Sequence, residues 1–258
     1  MLRISTSITD FAPLFFDLEY LFRGLCETGV DGVELVIGIK SRFRSSKLRE
    51  LSRKYHLPIT SIHQPAWGGL GLYFDEDFID FAKAVGTNKI VFHPLPKVSL
   101  TDKRMRSYFR RLAQIQEKKK IEVFLENLPN SYGLKLLSTF FPLNDSGSDI
   151  QQLSKVVDEF GFKLNLDIDH LRLRAPQKES WFQKLLPKVG NIHLSSFAKD
   201  KNHLPLYLGD FQTKPFMQAL EKNQYKGLLT FEIYYPHLIQ PFSYNFDAIK
   251  RSLAILRS

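Results

Sequence analysis

A single (β/α)8 barrel over residues 1–258 is the fold the sequence predicts, and three observations predict it. Lys163 to His170 reads KLNLDIDH, so with a period of two Leu164, Leu166 and Ile168 fall on one side of a strand and Asn165, Asp167 and Asp169 on the other. An apolar back, an acidic front and a terminal histidine suit a strand whose end opens into a barrel mouth. The arrangement recurs: His63 ends PITSIH, His93 ends KIVFH, Glu126 ends IEVFLE, His193 sits in NIHLSS and Glu232 closes LLTFEI. From His63 through Asp167 to Glu232 these six positions are 30, 33, 41, 26 and 39 residues apart, the length of a βα unit with a variable loop.

In chain order, LRISTSI (2–8) reads as the first strand, and 17–29 as an amphipathic helix closed by Gly29. GVELVI (32–37) is the second strand, the basic segment 44–55 the second helix and PITSIH (58–63) the third strand. Helix three spans 75–86, with Asp75 or Asp77 near its start and Gly86 past its end. KIVFH (89–93), a helix from Asp102 to Lys119 and IEVFLE (121–126) follow, and then a long loop over 127–147. Helix five covers 148–161 with Ser148 as N-cap. The pattern continues with a strand at 163–169, a helix near 178–187, NIHLSS (191–196) as strand seven, a helix at 212–223, LLTFEI (228–233) and a closing helix from Phe246 to Leu256. Eight alternations imply parallel pairing through right-handed crossovers, and that number favours closure.

The chain is 43% hydrophobic and 13% aromatic, enough for a large buried core. With 36 Lys and Arg against 27 Asp and Glu, its net charge of +9 is compatible with an anionic partner, a phosphorylated sugar or nucleic acid. A single cysteine, Cys26, excludes an internal disulfide framework, fits a cytoplasmic setting and reads as a core thiol of the first helix. Asp10 and Asp17 interrupt the N-terminal segment, which therefore reads as neither signal peptide nor membrane span.

Sites in such barrels are built at the carboxyl ends of the strands. An isolated histidine on an apolar run is more often a satisfied core residue than a ligand; six ligand-type residues converging on one mouth are a different matter. His63, His93, Glu126, Asp167, His193 and Glu232 offer imidazole nitrogen and carboxylate oxygen, a donor set suited to zinc, manganese, iron or cobalt. Trp67, after strand three, is placed to cover a substrate, and Gly68, Gly69 and Gly71 permit a tight loop without forming a phosphate-binding one. Arg172 and Arg174 can hold a phosphate or simply be solvated, and the basic run of helix four (Lys103 to Lys120) is most simply a solvated face.

The ordered set resembles the xylose isomerase-like barrel superfamily over nearly the whole chain. It comprises histidine after strands three and four, Glu126-Asn127 after strand five, Asp167-x-x-His170 after strand six, His193 in strand seven and Glu232 at the end of strand eight. That superfamily includes sugar and sugar-phosphate isomerases and epimerases as well as endonuclease IV. GVDGVEL (29–35), HLPLYLGDF (203–211) and YKGLLTFEI (225–233) resemble the isomerase and epimerase branch. The resemblance implies a metal tetrad of Glu126, Asp167, His193 and Glu232, with Glu126 and Glu232 also moving a proton between carbons of a hydroxy-carbonyl substrate through an enediolate. It further implies that Asn127, His170 and His203 bind a small anionic or polyhydroxylated substrate, with Lys201 available as a point charge. The endonuclease IV branch is the alternative. There Glu126 would bridge one metal held by His63 and His93 and a second held by Asp167, His193 and Glu232, acting on abasic DNA. Its third metal site would require a carboxylate where this chain has Lys201.

Overall fold

Eight parallel strands close on themselves in the order β1-β10-β7-β6-β5-β4-β3-β2. They are β1 (Arg3–Thr9), β2 (Gly32–Val36), β3 (Ile59–His63), β4 (Lys89–Phe92), β5 (Glu122–Glu126), β6 (Lys163–Asp167), β7 (Val189–Leu194) and β10 (Leu228–Phe231). A two-stranded antiparallel hairpin, β8 (Ser196–Ala198) with β9 (Lys201–Leu204), projects after β7. The helices are α1 (Leu18–Thr28), α2 (Ser45–Lys54), α3 (Glu76–Val85), α4 (Lys103–Lys119), α5 (Ile150–Phe160), α6 (Ser180–Leu185), α7 (Thr213–Lys222) and α8 (Phe246–Arg257). This computed structural model describes residues 2–9, 17–37, 44–64, 76–95, 98–128, 149–199, 201–233 and 246–258. Trp67, Gly68, Gly69, Gly71, Asp75, Ser148, His237 and all but the first two residues of the 127–147 loop lie outside the described residues. No helix among the described residues is long and apolar enough to cross a membrane.

Period-two alternation sorts each strand between two buried environments. The outward set, exemplified by Leu164, Leu166 and Ile168, each 0% exposed, joins the helices in one core. On α4 Met105, Tyr108, Phe109 and Leu112 recur at the helical i, i+3, i+4, i+7 spacing and are buried, while Arg110 and Arg111 between them are exposed. Burying an apolar side chain of that size stabilises by about 1.5–3 kcal/mol, so this stripe fixes the helix against β4 and β5. Local signals set the ends. Asp17 accepts from the Glu19 and Tyr20 amides at the start of α1, and Gly29 ends it in the left-handed conformation at φ 84°.

The inward set forms layers. At the amino-terminal end Val91, Phe124 and Leu228 make a small apolar plug separate from the main core. Phe124 fills this level because Gly190 yields room: a Cβ there would stand 2.6 Å from the ring. Above the plug the barrel is polar, with Ser5, Glu34, Ser61, Asn165, Asn191 and Thr230 all 0% exposed. Interiors of this architecture are ordinarily filled by Val, Ile and Leu. The polar layer is therefore a property of this chain that only its proximity to the mouth rationalises.

Three sequence-based expectations are corrected. The cap of α5 is Asp149, whose Oδ1 accepts from the Gln151 and Gln152 amides at 3.0 Å. Cys26 is exposed, because the buried stripe of α1 runs through Leu21, Phe22, Leu25 and Thr28 and leaves position 26 on the outer face. Strand seven ends at Leu194, and the following residues fold back as β8 and β9 instead of continuing the strand.

Candidate active site

The six expected ligand residues meet at one end of the barrel. His63, Glu126 and Asp167 are the last residues of β3, β5 and β6, His193 is the penultimate residue of β7, and His93 and Glu232 directly follow β4 and β10. None is more than 5% exposed. Glu126 is the hub. Its Oε2 lies 2.7 Å from His63 Nε2 and 3.3 Å from His193 Nδ1, and accepts from Asn165 Nδ2 at 2.7 Å. Its Oε1 is 3.5 Å from His93 Nε2 and 3.2 Å from His170 Nδ1. His193 Nδ1 also stands 3.0 Å from Glu232 Oε2 and 4.0 Å from Asp167 Oδ2. The rings of His63 and His193 stack at 5.1 Å, and His93 meets His63 edge-on at 5.0 Å.

Neighbouring backbone and side chains hold this set in place. Asn127, wholly buried, donates through Nδ2 to the Asp167 carbonyl at 3.0 Å and accepts the Asp167 amide on Oδ1 at 2.8 Å. Both ends of its amide are thus taken by backbone, so Asn127 braces Asp167 where sequence reasoning had it touching substrate. His170 donates its backbone amide to Asp167 Oδ1 at 2.9 Å, and its Nδ1 lies 2.9 Å from the Asn127 carbonyl. His203 sits across from it, ring to ring at 5.7 Å, with its amide donated to Asp169 Oδ2 at 3.0 Å and Nδ1 3.1 Å from the Glu232 carbonyl. These two histidines are the partly open rim, with side chains 15% and 19% exposed. Lys201 lies two residues before His203 on β9 and is exposed. Arg174 pairs with Asp210 on the surface at 2.8 Å.

Electrostatics divides the acids. Burial works to raise the Glu126 carboxyl, but the field of His63, His193 and His93 outweighs it and holds the group well below the usual carboxylate range. Glu232 is likewise held low, mainly by His193 acting against burial. Asp167 goes the other way: burial, reinforced by Glu232 and Glu126, pushes it well above the ordinary value. Burial also opposes the charged form of His170, yet Asp167 and Glu126 raise it to about 10. His193 is raised well above the ordinary imidazole value by Glu34, Glu232 and Glu126 against the same penalty, whereas burial prevails at His93 and lowers it.

Four overlapping triads in this cluster place their donor atoms within 4.8 Å of one another: His63/His93/Glu126, His63/His193/Glu232, Glu126/Asp167/His193 and Asp167/His203/Glu232. His63 Nδ1, His93 Nδ1 and Asp167 Oδ2 are buried without an aligned hydrogen bond. Buried polar atoms are ordinarily satisfied, and each left over costs about 1–3 kcal/mol. Such a concentration of imidazole and carboxylate donors fits a divalent cation. Sequence reasoning missed Glu34, Asn165 and Asp169, which lie beside the cluster. The signal for Asp169 and Asn165 was the KLNLDIDH alternation, and for Glu34 a carboxylate inside the otherwise apolar GVELV.

A closed (β/α)8 barrel with a histidine and carboxylate cluster at the carboxyl ends of its strands defines the class. The chain belongs to the family described as the xylose isomerase-like TIM barrel, whose model matches residues 22–258. An uncharacterized protein of Methanocaldococcus jannaschii is 22% identical over 161 residues, a stretch that covers 60% of this chain and only 55% of that protein. A xylose isomerase domain containing protein from Salmonella typhimurium LT2 superposes with a TM-score of 0.73 at 20% identity, covering 99% of this chain and 97% of that one. A D-allulose 3-epimerase from Methylomonas sp., solved in complex with D-allulose, gives 0.69 at 16% identity, covering 99% and 96%. An AP endonuclease, family 2, from Brucella melitensis gives 0.64 at 15%, covering 90% and 93%. At these identities the structural likeness establishes the fold.

Proposed function

We propose that the protein is a divalent-metal-dependent isomerase or epimerase of a small sugar, polyol or sugar phosphate. The observation that carries this reading is that Glu126 and Glu232 both reach Nδ1 of His193, at 3.3 and 3.0 Å, with Asp167 Oδ2 at 4.0 Å. These four residues would hold the cation. When bound, it supplies charge stabilisation to the oxygens of a hydroxy-carbonyl substrate. Glu126 and Glu232 then stand beside the same substrate, and one carboxylate removes a proton from carbon while the other returns one. The field that holds both carboxyls low keeps them ionised. His170 and His203, on the open rim, offer hydrogen bonds to substrate hydroxyls or a phosphate, and the exposed Lys201 adds a point charge for an anionic substrate. Shared fold with an epimerase supports the reading, and the lone cysteine supports a cytoplasmic setting.

A second reading, a two-metal phosphodiesterase acting on abasic DNA, is favoured by the approach of His63 and His93 to opposite oxygens of Glu126, at 2.7 and 3.5 Å. Glu126 could then bridge two cations, an arrangement suited to phosphodiester hydrolysis. The cation Lys201 brings to β9 counts against it. One experiment separates the two. The protein is loaded with Mn2+, Co2+ or Zn2+ and incubated in D2O with a panel of ketoses and their phosphates, and in parallel with an abasic-site duplex. Deuterium entering the carbon next to a sugar carbonyl, with appearance of the epimer or isomer, is the expected result. Strand cleavage without exchange would reverse the ranking.

A further inference from the structure

Glu34 is a wholly buried carboxylate in the polar layer, on β2, outside the set assigned above. Its Oε1 lies 3.0 Å from Nε2 of His193. Its Oε2 accepts from Ser61 Oγ at 2.6 Å and Asn191 Nδ2 at 3.4 Å. Asn191 Oδ1 in turn accepts from Thr230 Oγ1 at 2.9 Å, and Thr230 meets Ser5 Oγ at 2.8 Å. Groups from β1, β2, β3, β7 and β10 therefore form one chain of contacts that fixes the carboxylate under the His193 ring. Taking a carboxylate out of water costs several kcal/mol unless a partner repays it, so a chain that keeps one where Val or Ile would pack has a use for it.

The geometry of His193 identifies the use. Its Nδ1 faces Glu126, Asp167 and Glu232, and its Nε2 faces Glu34 alone among the carboxylates recorded around it. A neutral imidazole carries one N–H and one lone pair. Carboxylates stand at both nitrogens, so a cation held by Glu126, Asp167 and Glu232 would displace any proton from Nδ1, and Glu34 behind Nε2 would keep the remaining one there. We infer that Glu34 is a positioning residue for the proposed cation, holding His193 in the Nε2–H tautomer with Nδ1 aimed between Glu126, Asp167 and Glu232. The inference rests on the metal centre proposed above and goes beyond its ligands. Glu34 Oε1 stands 3.0 Å from Nε2 as an ion-pair contact without an aligned hydrogen bond. A carboxylate at the remote nitrogen also makes an imidazole a better donor, and loss of such an outer partner weakens metal binding by roughly 10–100-fold.

Glu34→Gln keeps the shape and removes the charge. Its amide can also turn its NH2 toward Nε2, which selects the wrong tautomer. Dissociation constants for Mn2+ and Zn2+, measured by competition with a chelating dye, are expected to rise about 10–100-fold in this variant, with far-UV circular dichroism unchanged. Ser61→Ala, which removes one hydrogen bond to Glu34 and leaves His193 untouched, should give a smaller rise. Nitrogen-15 NMR of the histidine rings reads the tautomer directly. In the wild-type Zn2+ form His193 should show a protonated Nε2 and a metal-shifted Nδ1, a measurement that decides the matter even if Glu34→Gln does not fold. Wild-type affinity in Glu34→Gln, or a proton on Nδ1 in the Zn2+ form, would overturn the role of Glu34 and leave the proposed activity standing. A wild type that takes up neither ion would overturn the metal centre and this inference together.

Discussion

His63 Nε2 and Glu126 Oε2 meet at 2.7 Å, between side chains that are 4% and 1% exposed. The contact ties the end of β3 to the end of β5 across β4, whose own His93 reaches the other oxygen of the same carboxylate. With His193 at 3.3 Å and His170 at 3.2 Å, four imidazoles surround one carboxylate. That is why Glu126 is held well below its ordinary value although it is buried. It is also why loss of different members of the set should have separable effects.

Glu232 reaches the cluster through Oε2, 3.0 Å from His193 Nδ1. Glu232→Gln removes an anionic donor and is expected to weaken cation binding by more than the roughly 10–100-fold attached to an outer partner. Elemental analysis of protein purified without chelator should find one or two equivalents in the wild type and a sharp drop in the variant. Equal metal content in the two proteins would remove Glu232 from the ligand set.

His63 and His93 approach opposite oxygens of Glu126 and stand outside the four residues proposed to hold the first cation, although His63 also groups with His193 and Glu232, so their joint replacement by alanine separates one bound cation from two. In a one-metal isomerase the double variant keeps Glu126, Asp167, His193 and Glu232, retains its equivalent of metal and loses mainly substrate fit. In a two-metal hydrolase it loses one equivalent and all cleavage. Titration of metal content alongside sugar exchange and abasic-DNA cleavage reads both, and cleavage abolished by the double change would establish the hydrolase.

The barrel was legible because its signals are local and periodic. Leu164, Leu166 and Ile168 alternate with Asn165, Asp167 and Asp169, and a ligand-type residue closes six strands at βα-unit spacing. Two parts of the site were not. Glu34 sits in GVELV, where all five residues are buried, so its burial pattern carries no alternation to mark it as inward. The β8–β9 hairpin depends on residues distant in sequence: Asp169 Oδ2 holds the His203 amide and Arg172 holds Asn202. Neither link is visible in the short run SFAKDKNHL.

The pH response of the metal-free protein follows from the same charges. His170 is raised to about 10 from an unfolded value near 6.5. Its contribution to stability is therefore whole below about pH 6.5 and is lost as pH rises through about 10. His193, also raised, acts in the same direction. Glu126 and Glu232 are lowered, so their contribution is present above an unfolded value of about 4.3 and is lost as pH falls below it. Chelated protein should resist urea best between roughly pH 5 and 6.5 and weaken steadily toward pH 10. Cation affinity should climb over that same alkaline range, because imidazole must shed its proton to bind. His170→Asn should flatten the alkaline fall in the urea midpoint. A metal-free protein more stable at pH 9.5 than at pH 6 would contradict the assignment of charges.

The last prediction concerns the hairpin that carries His203 and Lys201. Arg172 donates through Nη1 to the Lys199 carbonyl and through Nη2 to Asn202 Oδ1, the latter at 2.6 Å, and its guanidinium lies 5.7 Å from the centre of the Phe197 ring. Three non-glycine residues here adopt positive φ: Arg172 at 49°, Lys199 at 36° and His203 at 50°. Each such residue costs about 1–3 kcal/mol and persists only where surrounding contacts overrule it. Asp169 accepts the His203 amide at 3.0 Å, the Glu232 carbonyl lies 3.1 Å from His203 Nδ1, β8 pairs with β9, and Arg172 ties Lys199 to Asn202. Hydrogen bonds to a charged group contribute about 1.5–3 kcal/mol, so Arg172→Ala should raise local opening of the hairpin by about 10–100-fold while the barrel is untouched. Amide exchange of residues 201–204 should quicken accordingly, with metal content and the global melting temperature close to wild type. For a sugar that the wild type turns over, KM should rise more than kcat falls, because His203 sits on the rim and touches Glu232 at its carbonyl, 3.1 Å from Nδ1, while Glu126 ends β5 and Glu232 directly follows β10. Arg172→Lys should not rescue, since an ammonium lacks the planar fork that spans Lys199 and Asn202. Exchange at 201–204 unchanged in Arg172→Ala would show that Asp169 and the β8–β9 pairing hold His203 without it.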